Sequence, residues 1–149
     1  MDYRKIMNRL NAALGKIDAA YEAIAKKYDM TYNALMMVYL MEETKNITQK
    51  QICDELHLPK STVHSILLDF IQQGYVSLTE GNNKKEKFIN ITESGMCFFS
   101  NVFEKTQALE KNVLDALGGE ACAFLTETAE AAGNLLMAEI ASINDGEVK

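Results

Sequence analysis

Residues 48–92 read TQKQICDELHLPKSTVHSILLDFIQQGYVSLTEGNNKKEKFINIT, and this stretch decides the fold. Thr48 followed three residues later by Gln51 is a capping-box pattern. Each side chain satisfies a backbone donor of the other residue, so a helix is expected to open here. Ile52, Cys53 and Leu56 fall on one face of that helix at spacings of three and four. His57 and Leu58 supply a turn, and Pro59 suits the first position of a second helix, where its missing N–H is no loss. Val63, Ile66, Leu67 and Phe70 make the inner face of the second helix. Lys60, Ser61, Thr62, His64 and Ser65 are left on or near its outer face and first turns. Gly74 ends it. Two short helices packed across a tight turn form a helix-turn-helix, whose second helix can lie in a DNA major groove.

The next residues change period. Val76 and Leu78 alternate with Ser77 and Thr79, and Ile89 and Ile91 alternate with Asn90 and Thr92. That is the pattern of a half-buried two-stranded hairpin with Val76, Leu78, Ile89 and Ile91 turned inward. Between the strands lies Gly81-Asn82-Asn83-Lys84-Lys85, a turn-forming run that carries two adjacent cations. A helix-turn-helix followed by such a hairpin is a winged helix, and the wing carries Lys84 and Lys85 towards a phosphate backbone or a minor groove.

Outward from this head the chain is helical. Tyr3, Met7, Leu10, Leu14, Ile17, Tyr21, Ile24 and Tyr28 alternate spacings of four and three, a heptad seam that needs a long partner helix. Asp29-Met30-Thr31 breaks it, and Thr31 caps a helix over residues 32–44 that is apolar nearly all round and therefore buried on several sides. Beyond the hairpin, Thr92 caps a long helix with Glu93 in its first turn. Phe99, Val102, Phe103, Leu109, Val113, Leu114 and Leu117 fall near one stripe of it. Gly118-Gly119 is the clearest break in the chain, and a last helix follows with Leu125, Ala129, Ala132, Leu135, Leu136, Ile140 and Ile143 as its stripe. Residues 144–149 are polar and expected to fray. These long helices carry more apolar surface than a small head can cover, which predicts a homodimer joined through both ends of the chain.

Composition narrows the function. The chain has 149 residues, 48% of them hydrophobic, with one proline and 8% aromatics. That suits one mainly helical domain with its own core. No apolar run approaches the length of a bilayer span and no secretory signal opens the chain, so a cytoplasmic protein without membrane contact is expected. Cys53, Cys97 and Cys122 do not make a disulfide framework and read as reduced, mostly buried thiols. The net charge is −6, but it is unevenly spread. Residues 45–87 hold six lysines against five acids, a balance of +1, whereas residues 88–149 hold three lysines against ten acids, a balance of −7. The acidity lies away from the reading head, whose own electrostatic footprint is weak. Modest nonspecific affinity and dependence on a specific, paired site are expected.

In this order of elements the sequence resembles the MarR family of bacterial transcription regulators. The resemblance rests on Met30-Thr31, residues 48–58, Lys60-Ser61-Thr62-Val63, Gly74-Tyr75-Val76 and Ile91-Thr92-Glu93-Ser94-Gly95. It implies one domain over residues 1–149, a mainly α winged helix-turn-helix head at 31–92, and dimerisation helices at 1–30 and 93–145. It further implies a dimeric repressor that binds a pseudopalindromic operator in double-stranded DNA and is released by a small apolar or aromatic effector. The DNA-binding residues implied are Gln49, Lys60, Ser61, Thr62, His64, Ser65, Asn82, Asn83, Lys84, Lys85 and Lys87. The effector is expected near Tyr28, Tyr32, Met36 and Tyr39, where aromatic and methionine side chains are dense.

The departures from the family matter. The wing usually carries Asp-x-Arg, where this chain has Asn82-Asn83-Lys84-Lys85, and lysine lacks the flat guanidinium fork. No arginine follows Arg9, so the bidentate arginine–guanine contact is unavailable to the head. Lys60, Ser61, Thr62 and His64, or DNA shape, must supply the reading. Cys53 and His57 lie one helical turn apart. The family places a small residue at the first position, where the two helices cross, and glycine at the second, so both read as structural. Neither a metal site nor a cofactor is expected. No phosphate-binding glycine loop, nucleophile elbow or carboxylate-rich motif points to an enzyme. The competing readings are a winged-helix protein-interaction module and a thiol-based redox-sensing regulator acting through Cys97 or Cys122.

Overall fold

At Thr48 both halves of the capping box form. The Gln51 N–H donates to Thr48 Oγ1 at 3.2 Å and the Thr48 N–H donates to Gln51 Oε1 at 2.9 Å. The structure, a computed structural model, describes residues 1–83 and 85–146, with the backbone alone over 144–146. Its elements run α1 (Tyr3–Lys26), α2 (Tyr32–Glu43), β1 (Ile47–Thr48), α3 (Gln49–Leu56), α4 (Lys60–Gln72), β2 (Val76–Glu80), β3 (Lys87–Ile91), α5 (Glu93–Leu117) and α6 (Gly119–Gly146). Lys84 and residues 147–149 lie outside the described residues. The helix expected to fray from residue 144 continues through Gly146. Two compact units are formed, Met1–Glu104 and Lys105–Lys149.

The turn between α3 and α4 is built on a left-handed residue. His57 sits at φ 51°, ψ 38°, its N–H donating to the Cys53 carbonyl, and Leu58 N–H reaches the same oxygen at 3.2 Å. A side chain at this conformation carries a steric cost that glycine avoids. His57→Gly is therefore expected to raise stability by up to about 1 kcal/mol in urea unfolding, the relief of strain exceeding the added freedom of the unfolded chain. A loss of stability would mean that the imidazole makes a compensating contact. Pro59 is the residue before α4 rather than its first helical position. It is extended at ψ 143°, as the N-cap site requires, and Lys60 opens the helix. At the far end of α4, Gly74 N–H bonds the Ile71 carbonyl and Tyr75 N–H bonds the Phe70 carbonyl. With Gly74 at φ 75° this is a Schellman termination, which sends the chain straight into β2.

The sheet has three strands where the sequence predicts two. β1 pairs antiparallel with β3, Ile47 opposite Ile89, and the strand order is β1-β3-β2. A two-residue strand shows no alternation by which sequence could announce it. Its effect is to place β3 centrally, so Ile89 is covered by neighbours on both sides and buried. Leu78 stands opposite Ile89 on the edge strand β2 but is 47% exposed, not inward and buried as its period predicts. Beyond Val76 the residues of β2 are exposed.

The core lies within the first unit. Leu35, Met37 and Val38 of α2 meet Ile47, Ile52, Val63, Leu67, Phe70, Val76, Ile89, Phe99 and Val102, all buried. Thr31 caps α2, accepting the Ala34 N–H at 3.1 Å. Full burial of an aliphatic side chain such as Leu35 contributes about 1.5–3 kcal/mol, so this cluster dominates the stability of the head. The α1 seam ends two residues earlier than its pattern, at Lys26, and Asp29 turns the chain at φ 54°. Tyr3, Leu14 and Ile17 on α1 remain exposed, as do Phe124, Leu125, Leu135, Met137, Ile140 and Ile143 on α6. Among the described residues no helix is long and apolar enough to cross a membrane.

Candidate nucleic-acid interface

The outer face of α4 follows from its inner one. With Val63, Leu67 and Phe70 buried, the helical period leaves Lys60, Ser61, His64, Ser65 and Leu68 exposed. Thr62, placed on or near that face by the sequence, is half-buried. Gln49, at the start of α3, reaches across with its Nε2 donating to the Lys60 carbonyl at 3.2 Å. This bond braces the first turn of α4.

The wing turn is organised by its own side chains. Asn83 Oδ1 accepts the N–H groups of Lys85 at 3.0 Å and Glu86 at 3.1 Å. Gly81 N–H donates to the Glu86 carbonyl at 2.9 Å, and the Glu86 carboxylate folds back to accept the Asn82 N–H at 3.2 Å. Asn82 and Asn83 thus build the turn, the first through its backbone and the second through its side chain. Lys85 is exposed, and Lys87 lies 3.9 Å from Glu80, a surface pair worth little. Lys84, expected at the wing tip, lies outside the described residues.

These elements enclose a groove of about 620 Å³ between α4 and the wing, lined by Gln49, Lys60, His64, Asn83, Lys85 and Lys87 among others. Six of the residues expected at the DNA interface therefore share one surface. Ser61, Thr62, Ser65 and Asn82 do not line it. Lys50 also lines it, a residue the sequence reading passed over, and the floor between the cations is apolar, with Leu67, Leu68 and Leu78. Lys50 is 3.9 Å from Asp54. Among the described residues Lys60 and Lys85 have no ion pair, so both charges are available to an anion. Only the position of Lys50 in the first turn of α3, one helical face from Cys53, signalled its place.

Of the residues expected to hold an effector, Tyr32, Met36 and Tyr39 follow one another along α2 and Tyr28 lies just before it. Tyr39 stacks on Phe103 with ring centroids 5.3 Å apart, Met36 is half-buried against the core, and Tyr28 lines a separate groove beside the α1–α2 turn. Tyr32 donates its hydroxyl to Asp18 Oδ1 at 3.3 Å. Partial burial, the Asp18 charge and that hydrogen bond together raise its phenol above the ordinary value of 10.0. The folded chain then holds the proton more tightly than the unfolded chain does. The associated stability is present in full below about pH 10 and is lost as pH rises through the raised value. Tyr32→Phe is expected to show a shallower loss of stability than the wild type in urea unfolding between about pH 9 and about pH 11. Identical pH profiles would remove the Asp18 bond from the account.

The thiols, expected to be mostly buried, are less so. Cys53 and Cys122 are half-buried and Cys97 is exposed on the first turns of α5. Cys122 Sγ points to the Leu114 carbonyl at 3.7 Å. Among the described residues no group of three or more histidine, cysteine or acidic side chains is placed to hold a metal ion.

Comparison with known proteins bears on this site. Residues 28–85, which hold α2 through the wing turn, match the model of the MarR family. The chain is 29% identical over 77 residues to the HTH-type transcriptional regulator SarZ of Staphylococcus haemolyticus (strain JCSC1435), a match covering 51% of this chain. It spans about half the length, 52%, of that curated relative. Among solved structures, NMB1585, a MarR family regulator from Neisseria meningitidis, superposes with a TM-score of 0.81 at 22% identity, covering 91% of this chain and 96% of that one. S. aureus MepR, solved as a complex with DNA, superposes with a TM-score of 0.65 at 15% identity, covering 91% of this chain and 98% of that one. These likenesses show a mainly helical winged-helix fold.

Proposed function

We propose that the chain is a MarR-family transcription regulator that binds double-stranded DNA as a homodimer, repressing its target until a small ligand releases it; the match of residues 28–85 to that family's model supports the assignment. The observation that carries this reading is the exposed start of α4, with Lys60, Ser61, His64 and Ser65 beside the exposed Lys85 of the wing. A helix presented this way can enter a major groove while the wing meets the phosphate backbone. The likeness to S. aureus MepR, whose structure holds DNA, supports the same use of the face. A mobility-shift assay on DNA flanking the protein's own gene tests it. A shift that random DNA of equal length competes poorly is expected, and failure to shift any fragment at low salt would sink the reading. The exposed Leu68 and Leu78 favour a second reading, a protein-interaction module, which a shift-negative result would promote.

Dimerisation is part of the proposal, with residues 1–30 and 93–145 as the joining helices and 31–92 as the head. The support is the exposed apolar stripe on α6, where Phe124 is 71% and Leu135 67% accessible in a single chain, and the exposed seam of α1. Contiguous apolar surface of this extent is rarely left to water. Sedimentation at micromolar concentration is expected to give a dimer, and deletion of residues 120–149 an insoluble or monomeric product. A monomeric, soluble full-length chain would refute it. A cytoplasmic location accords with this function. The effector is assigned to the α1–α2 junction, near Tyr28, Tyr32, Met36 and Tyr39. A small apolar or aromatic compound that raises the melting temperature and lowers DNA affinity is the expected finding, and a DNA affinity that no such compound changes would make the protein a constitutive binder.

A further inference from the structure

A second groove, of about 370 Å³, opens where the α1–α2 turn faces the C-terminal half of α4 and the start of α5. Its apolar wall is aromatic. Tyr75 and Phe98 stack with centroids 4.6 Å apart and an interplanar angle of 7°, and Tyr28 and Phe70 also line it. Two carboxylates, Asp29 and Asp69, stand at it, and no lysine, arginine or histidine is among its lining residues. Among the described residues neither carboxylate has an ion pair or a side-chain hydrogen bond. Asp29 is held at this place by a left-handed backbone, φ 54°, at the turn between two helices, while Asp69 lies on α4. Two unconnected elements therefore bring uncompensated negative charge to one aromatic-walled cavity.

We propose that this groove binds a small organic cation, a protonated or quaternary amine with an apolar body. Ring faces attract a cation through their quadrupole, and they do so most strongly where water is partly excluded. Two carboxylates without partners lower the potential further, and an anion meets only repulsion there. The apolar body of the ligand covers the Tyr75–Phe98 wall, which is otherwise half in water. The groove shares only Tyr28 with the effector site proposed above, and the inference stands without that site and without DNA binding.

The test uses the full-length protein and benzyltrimethylammonium, with benzyl alcohol as an uncharged aromatic and benzoate as an anion. Isothermal titration is expected to show saturable binding of the ammonium compound, with affinity at least about tenfold above that of either comparison compound. Asp29→Asn/Asp69→Asn is expected to weaken it about tenfold, and Phe98→Leu by a similar factor, while Glu120→Gln on α6 leaves it unchanged. Circular dichroism melting verifies that each variant is folded. The wild-type comparison of the three compounds decides the matter if a variant does not fold. Equal binding of the three compounds, absence of ammonium binding, or ammonium binding indifferent to both aspartates in folded protein would overturn the proposal.

Discussion

Gly95→Ala is expected to destabilise the protein by about 3 kcal/mol or more, read as a lower urea midpoint at unchanged slope. A Cβ at this position would lie 2.1 Å from the Tyr75 carbonyl oxygen and 2.9 Å from Ile91 Cγ2. The backbone oxygen cannot swing aside as a side chain would, because it accepts the Thr92 N–H at 3.0 Å. Thr92 ties the same junction twice more. Its hydroxyl donates to the Gly74 carbonyl at 2.6 Å and accepts the Gly95 N–H at 3.0 Å. Relieving the clash therefore separates the start of α5 from the segment that ends α4 and opens β2. Gly15→Ala is the control. It lies within α1 with nothing near its missing side chain, and is expected to stabilise by roughly 0.5–1 kcal/mol, as alanine does in place of a helical glycine. Equally small effects at both positions would mean that the Tyr75 carbonyl moves freely, and the packing account of Thr92-x-x-Gly95 would fail.

What was legible in the sequence was what local chemistry decides. The Thr48–Gln51 box, the Thr31 and Thr92 caps, the breaks at Gly74 and Gly118 and the two periods of the head each involve residues within a few positions of one another. What was not legible depends on elements distant in sequence. Nothing in Ile47-Thr48 announces a strand, because its partner is forty-odd residues on and only the pairing makes it one. Leu78 obeys the strand period and is still exposed, since period fixes a face and not what covers it. The site shows the same division. Outward positions on α4 follow from helical spacing. The turn role of Asn83 and the bracing role of Gln49 do not, because a polar side chain in a turn or at a helix start reads alike whether it faces a ligand or its own backbone. Asp29 and Asp69 are forty residues apart and carry no mutual pattern, so their groove exists only in the folded chain.

Replacing His64 with alanine is expected to cost about 1–3 kcal/mol of affinity on the cognate operator and little on random DNA. His64 is exposed at the centre of the outward face of α4, one turn from Lys60 and flanked by Ser65. With no arginine in the head, its imidazole and the Lys60 ammonium are the longest polar side chains at the start of the helix, the part that reaches base edges in the proposed DNA complex. Thr62→Ala, placed beside it by sequence alone, is expected to fall at the lower end of that range because its side chain is half-buried. The wing should behave differently. Replacing Lys84 and Lys85 together is expected to weaken cognate and random DNA about equally. The log–log salt dependence should flatten by about two per subunit, one released counterion for each lost phosphate contact. The Lys85 side chain carries no ion pair among the described residues, so no internal partner absorbs the loss. If the wing substitutions alter sequence preference while the salt slope stays, the lysines read a minor groove and not a backbone. If neither set changes affinity, the face between α4 and the wing does not bind DNA, and its apolar floor at Leu68 and Leu78 becomes the seat of a protein contact.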